Sequence, residues 1–221
     1  MELNKTIEQK LNENRSYRNT QKFEIRVDQD APDRKIVRGY ATTFNEPYEL
    51  FQYDNWEGYR VHIVEQVDPE AFKECDMSDV IMQYNHEGRV FARTSNQTLS
   101  LRVDAHGLLT EADLGGTEIG RDLYEEIEGG YTNRMSFGFT VAKDSRTEDR
   151  DDENKVITIT RTITSISKLW DVSAVSIPAN DGTEISARSY CDGVIAELTE
   201  EFRKAEATRK QKQKIRILTE V

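Results

Sequence analysis

The chain has 221 residues, of which 36% are hydrophobic and 12 are glycine, so we expect one compact domain with polar extensions. Its formal net charge is −11, yet residues 203–216 contain seven Lys or Arg residues and one acid. Setting aside the +6 of that segment, and Glu220, leaves residues 1–202 at about −16. A core this acidic repels phosphate backbones, which argues against a nucleic acid partner for the core.

Membrane and metal-binding classes are also disfavoured. The sequence has no run of about 18 apolar residues and no apolar signal-like segment at its amino terminus, so we expect a soluble protein without a membrane partner. Cys75 and Cys191 lie far apart, outside any CxxC or Cys/His cluster. We therefore expect no disulfide framework, no metal site and no cofactor, in a reducing cytoplasmic setting.

The chain divides into three predicted segments. Residues 1–21 are polar and are predicted to form a mobile arm, and residues 22–190 are predicted to be a mainly β domain. Residues 191–221 are predicted to form a helix that continues into the basic tail. Within the domain, apolar or alternating stretches predict strands at 22–28, 36–44, 60–67, 79–84, 89–93, 98–103, 107–113, 134–143, 155–163 and 166–177.

Two helices are predicted between these strands. Asp68, as N-cap, followed by Pro69 predicts a short helix. The second covers about 118–128, where three apolar residues recur every four positions. Residues 104–107 are predicted to form a hairpin turn, and the acid-rich residues 144–153 a solvated loop.

Three side chains with catalytic potential lie at or near predicted strands. His86 follows the apolar run 80–85, Ser136 lies within 134–141, and Asp171 lies within 166–177. Such a set could converge from different parts of one β-rich core, and a histidine, a serine and an aspartate are the side chains that a serine hydrolase uses.

The predicted strand around Ser136 alternates between apolar and small or polar side chains. Ser136 should therefore stand on the face opposite the apolar one, with Gly138 leaving room for a substrate backbone. An ordinary strand serine is the alternative interpretation. His62 and His106 compete with His86 for the role of general base, although a solvated position explains both.

The order His, Ser, Asp differs from the order of the triads on three common hydrolase folds. The segments at 84–87, 134–139 and 169–180, together with 38–41, 68–72 and 104–108, closely resemble the tailed-bacteriophage prohead (capsid maturation) protease family. That family is similar in fold and residue order to the herpesvirus capsid assembly protease, in which a second histidine takes the third position. The resemblance covers roughly residues 36–187.

The resemblance implies an α+β, mainly β fold: a closed or partly closed antiparallel β-barrel of the herpesvirus-protease type with flanking helices. It also implies that His86 is the base, Ser136 the nucleophile and Asp171 the third member, where many relatives carry Glu. A structural ion pair of Asp171 with Arg134 or Lys168 is the alternative for that residue.

An oxyanion hole is expected in the turn that follows the Asp171 strand. By analogy with the herpesvirus relatives, the backbone N–H groups of Ala179 and Asn180 are the candidate donors. A plain turn at the same position is the alternative.

The resemblance further implies a serine endopeptidase that acts inside the viral procapsid in the host cytoplasm. It would cut the scaffolding protein, or the scaffolding segment of the major capsid protein, and itself, and by analogy it would be a homodimer. A non-catalytic scaffold or capsid component with the same fold is the alternative. A metallohydrolase using His62, His86 and nearby carboxylates is disfavoured, because the sequence contains no HExxH motif.

Overall fold

The structure, a computed structural model, describes residues 16–22, 24–26, 34–176, 204 and 207–211. The described residues form eleven strands, a 3-10 helix (Thr94–Asn96) and helix α1 (Glu118–Glu128), and residues 204 and 207–211 are also helical. The strands are β1 (Ser16–Lys22), β2 (Glu24–Arg26), β3 (Ile36–Thr43), β4 (Tyr48–Asp54), β5 (Arg60–Val67), β6 (Ile81–Tyr84), β7 (Glu87–Arg93), β8 (Leu99–Val103), β9 (Gly107–Asp113), β10 (Arg134–Asp151) and β11 (Val156–Val175).

These strands form two sheets. The larger has the order β1-β10-β11-β5-β4, with β6 also paired to β11 and β7 paired to β6. The smaller has the order β2-β3-β9-β8 and is antiparallel. The mainly β class is thus confirmed. Within the described residues neither sheet closes on itself, so the closed barrel is not confirmed, and the larger sheet is mixed because β5 and β6 run parallel to β11.

Strand β11 positions much of the larger sheet. One edge pairs with β10 along nearly its whole length. The other edge is shared, because β5 pairs with residues 156–163 and β6 pairs with residues 171–174. A single strand therefore sets the relative positions of β10, β5 and β6.

The main core includes residues from both sheets and from helix α1. On β10, the side chains of Met135, Phe137 and Phe139 are fully buried, as their alternation predicts. The predicted helix is confirmed, and its residues Leu123 and Ile127 pack into the same core. Burial of such side chains contributes about 1.5–3 kcal/mol each, which makes this core the main source of stability.

The acid-rich segment 144–153 is not the loop that its composition predicts. Residues 144–151 continue β10 and pair with β11, and only the turn that follows is irregular. Among the described residues, this half of β10 is an exposed edge strand, since β1 pairs only with residues 134–139. Charged side chains are common on exposed edges because they discourage pairing with other chains.

The predicted short helix after Asp68 is also wrong. Residues 68–75 form successive turns with hydrogen bonds from N–H to the carbonyl three residues earlier, as from Ala71 N to Asp68 O at 3.0 Å. Asp68 still caps this segment, because its Oδ1 accepts from Glu70 N at 2.8 Å. The predicted hairpin turn at 104–107 is confirmed, with Asp104 N donating to Gly107 O at 3.0 Å.

The chain ends are only partly described. Residues 16–21, predicted to belong to the mobile arm, form most of β1, and the remainder of that arm lies outside the described residues. In the predicted basic tail, Lys210 Nζ lies 5.2 Å from the centroid of the Trp56 ring. None of the described helices combines the length and the apolar character needed to cross a membrane.

A buried ion pair joins β5 to β11. Glu65 is 0% exposed, and its carboxylate accepts from Arg161 Nη1 at 2.8 Å and from Tyr48 Oη at 2.6 Å. Arg161 Nε also donates to Asp144. Charged groups in such surroundings are tolerated because each one has partners.

Arg161→Met should destabilise the fold by about 3–5 kcal/mol, because it leaves the buried Glu65 carboxylate without its cation. Urea unfolding would measure this loss. The matched control is Arg60→Met, which removes an exposed pair with Asp54 and should cost no more than about 1 kcal/mol. Equal losses for the two variants would contradict the importance given to the buried pair.

Candidate active site

Two neighbouring strands place the candidate nucleophile and the candidate acid on one face of the larger sheet. Ser136 of β10 pairs with Ser173 of β11, and Gly138 pairs with Asp171. Directly paired residues share a face, as do residues two apart in a strand. Ser136, Asp171 and Ser173 therefore project from the same face, opposite the core residue Phe137.

His86 reaches that face from the turn between β6 and β7. Tyr84 and Glu87 pair across the hairpin, and the two residues between them have positive φ angles, 52° for Asn85 and 61° for His86. Two left-handed residues in succession are typical of a type I′ hairpin turn. A histidine in this conformation is uncommon, and residues held in sparsely populated backbone regions are concentrated at functional sites.

The three candidate residues form one continuous chain of hydrogen bonds. His86 Nδ1 lies 2.5 Å from Asp171 Oδ1, and His86 Nε2 lies 2.5 Å from Ser136 Oγ. With Nδ1–H donating to the carboxylate, Nε2 is left to accept the serine proton. The arrangement can therefore deprotonate the hydroxyl of Ser136 during attack on an electrophile.

All three groups are buried. The exposed fractions are 1% for Ser136 as a residue, and 7% and 4% for the side chains of His86 and Asp171. The sequence predicts a serine on the polar face of its strand, and Ser136 does lie opposite the apolar face, but it is not solvated. Polar interactions are stronger in such surroundings than in water, because the effective dielectric constant is lower.

Asn85 fastens the turn that carries His86 to the end of β11. Its backbone N–H donates to Ala174 O at 2.9 Å. Its side-chain Oδ1 accepts from Ser176 N at 3.2 Å, while its Nδ2 lies 3.3 Å from Ser176 Oγ. The strand that contains Asp171 thus also anchors the turn that presents His86.

The contacts of Asp171 and Lys168 bear on the alternative of an ion pair between these two residues. Lys168 Nζ pairs with Asp76 Oδ2 at 2.8 Å. The Asp171 carboxylate instead accepts from His86 and from Ser173 Oγ, the latter at 2.8 Å. The contact with Ser173 is not among the sequence predictions. Its signal in the sequence is that Asp171 and Ser173 are polar residues two apart in the otherwise apolar run 171–175.

The other two histidines lie elsewhere. His62 Nδ1 is 2.5 Å from Glu49 Oε2, across the pair formed by β4 and β5. His106 lies in the turn between β8 and β9, with its ring edge-on to that of Tyr40 at 4.5 Å between centroids. Neither position is in the hairpin or the strands that carry Ser136 and Asp171.

Cys75 and the acidic and histidine side chains show neither a reactive thiol nor a metal centre among the described residues. Burial raises the pKa of the Cys75 thiol to about 11, so at neutral pH it is almost entirely in the unreactive protonated form. Among residues for which the structure gives positions, no group of three or more His, Cys, Asp or Glu side chains could hold a metal ion. Ala179 and Asn180, the candidate oxyanion donors, lie outside the described residues, and their role stays a prediction.

The chain belongs to the caudovirus prohead serine protease family, whose model matches residues 21–194. The matched range contains Ser136, His86 and Asp171. Among individual proteins, the chain is similar to the prohead protease of Enterobacteria phage HK97, with 28% identity over 163 residues. The similar region covers 72% of this chain and 62% of that relative, so the chain spans less than two thirds of the relative's length. No solved structure matches the chain significantly.

If Ser136 is the nucleophile, Asn85→Gly should slow its reaction with a fluorophosphonate roughly fivefold, because the turn is retained while the side-chain bonds to Ser176 are lost. The second-order rate of labelling measures the effect. Asn45→Gly is the matched control, since Asn45 has a similar φ of 55° in a different loop. Equal rates for Asn85→Gly and wild type would show that the anchor does not position His86.

Proposed function

We propose that this chain is a serine endopeptidase of capsid maturation, with Ser136 as nucleophile, His86 as general base and Asp171 as its orienting carboxylate. The observation that carries the proposal is the unbroken chain of two 2.5 Å contacts from Asp171 through His86 to Ser136. Membership of the prohead serine protease family supports the same reaction class.

In the proposed reaction, Ser136 Oγ attacks the carbonyl carbon of a peptide bond while its proton passes to His86 Nε2. The resulting tetrahedral intermediate collapses when His86 returns that proton to the leaving amine, which breaks the C–N bond and leaves an acyl-enzyme. A water molecule then gives its proton to Nε2 and attacks the ester. Return of the proton to Ser136 Oγ releases the carboxylic acid product.

Asp171 has two tasks in this scheme. Its carboxylate accepts the Nδ1–H, which fixes the tautomer that exposes a basic Nε2. It also stabilises the imidazolium that forms during attack, and it does so at close range in a water-poor site. In this scheme the proton of Ser136 passes to His86 and not to Asp171, so the carboxylate acts as a hydrogen-bond acceptor and not as a second base.

For substrates, we propose the scaffolding protein or the scaffolding segment of the major capsid protein, together with this chain itself. The proposed location is the interior of the assembling procapsid in the host cytoplasm. Family membership and the likeness to a prohead protease support both proposals. The homodimer and the herpesvirus-type barrel remain predictions from the family resemblance.

Ser136→Ala should abolish labelling by a fluorophosphonate and lower proteolysis by several orders of magnitude while leaving the fold intact. His86→Ala should behave likewise. Labelling detected by mass spectrometry, with thermal unfolding as the check on folding, tests both. Ser145→Ala, in the exposed half of β10, is the matched control and should react like wild type. Labelling that persists in Ser136→Ala would refute the assignment, and an unreactive wild type would favour a non-catalytic assembly component.

Asp171→Asn should lower turnover markedly, by as much as ~10⁴-fold, with little change in substrate binding, since the amide can stabilise the wrong imidazole tautomer. The maximal rate and the half-saturating concentration of labelling separate these effects. Asp76→Asn changes a half-exposed carboxylate paired with Lys168 and should leave both constants unchanged. If Asp171→Asn only unfolds the protein, and the remaining folded fraction reacts normally, Asp171 is structural.

Co-expression with the virus's own capsid subunit and scaffolding protein tests the substrate proposal. Mass spectrometry should find new termini in those proteins that are absent with Ser136→Ala. Intact partners beside a labelling-competent enzyme would rule out these substrates without affecting the proposed chemistry.

A further inference from the structure

A fourth side chain holds the carboxylate that orients His86. Ser173 lies two residues after Asp171 in β11, is 0% exposed, and has its Oγ 2.8 Å from Asp171 Oδ1. The same oxygen lies 2.5 Å from His86 Nδ1. We propose that Ser173 is a positioning residue that acts on His86 through Asp171, an inference that rests on the proposed function.

The surroundings of Asp171 explain why it needs this donor. Asp171 is 2% exposed, and the two serines that share its face of the sheet, Ser173 in the same strand and Ser136 in the neighbouring strand, are 0% and 1% exposed. An ionised carboxylate removed from water is costly unless it accepts hydrogen bonds. Ser173 supplies one such bond from the same strand, without the movement of any other element.

The bond from Ser173 also restricts how the carboxylate of Asp171 can rotate. The torsion that rotates an aspartate carboxylate has a broad energy well, so a bond to His86 alone would leave Asp171 able to pivot. Two donors on one oxygen, His86 Nδ1–H and Ser173 Oγ–H, restrict that rotation. The alignment of His86 Nε2 with Ser136 depends on a fixed carboxylate, because small displacements of a reacting group lower the reaction rate strongly.

The pairing of β10 with β11 fits this assignment. Ser173 lies directly across from Ser136, yet its hydroxyl bonds to Asp171, while the hydroxyl of Ser136 bonds to His86. The two serines therefore have separate partners, and Ser173 does not compete for the nucleophile.

Ser173→Ala should lower the maximal labelling rate roughly 10- to 100-fold, the range expected for loss of a hydrogen bond to a charged group, with an unchanged half-saturating concentration. The matched control is Thr110→Val, which removes another buried hydroxyl, on β9, for which the described residues offer no hydrogen-bond partner. This control should react like wild type.

A double-mutant cycle separates positioning from simple structural support. If Ser173 acts through Asp171, then Ser173→Ala should have no further effect on the rate in the Asp171→Asn background. Additive effects on the rate, or a loss of stability with a normal rate for the folded protein, would overturn the proposal. Ser173→Cys keeps the shape with a weaker donor and should have an intermediate rate. If both Ser173 variants fail to fold, the hydroxyl serves folding and the proposal is wrong.

A measurement independent of activity completes the test. The Nδ1 proton of His86 should give a far-downfield ¹H resonance that is missing in His86→Ala. Ser173→Ala should shift or broaden this resonance, and Thr110→Val should not. An unchanged resonance in Ser173→Ala refutes the role of Ser173 alone, whereas an unreactive wild type with the expected resonance shift refutes the proposed function alone.

Discussion

A buried carboxylate is the constraint on which the candidate site depends. Asp171 is 2% exposed, and the next four residues of its strand are buried as well. A charge in that position is tolerated only with hydrogen-bond donors close by, and the structure brings two to one oxygen, from His86 and Ser173. The hydrogen bonds that Asp171 requires therefore also help to hold the ring of His86 in place, so stability and the geometry of the candidate site depend on the same contacts.

Strand β11 links the hydrogen bonding of Asp171 to the arrangement of the larger sheet. It carries Asp171, pairs with the strand of Ser136, and accepts β6 along its other edge just before the turn that presents His86. Asn85 closes the arrangement by binding the end of the same strand. A shift of β11 by one residue against either neighbour would move Asp171 to the opposite face, because side chains alternate along a strand.

The parts of the fold and of the candidate site that depend on a local pattern in the sequence could be predicted. The alternation around Ser136 predicts the strand and its buried face, and the apolar stripe at 118–128 predicts helix α1. Strand β4 escaped prediction because an irregularity between Glu49 and Phe51 interrupts its period of two. The prediction of a loop at 144–151 was wrong, because an exposed edge strand and a solvated loop have the same polar composition. The parallel pairing of β6 with β11 depends on long-range register, which no local pattern contains. The contact of Ser173 with Asp171 joins residues two apart in one strand, so its basis in the sequence is local.

The order of the three residues along the chain also follows from this topology. Ser136 precedes Asp171 because the two lie on the arms of one long antiparallel hairpin, whose second strand carries the acid. His86 precedes both because the hairpin of β6 and β7 comes earlier in the chain, and its strand β6 adds to the edge of β11 opposite β10. Transfer of the serine proton requires only that Nε2 face the hydroxyl and Nδ1 face the carboxylate. Any topology that delivers the imidazole between those two groups meets the requirement, so an order different from that of other hydrolases does not weaken the chemical argument for this site.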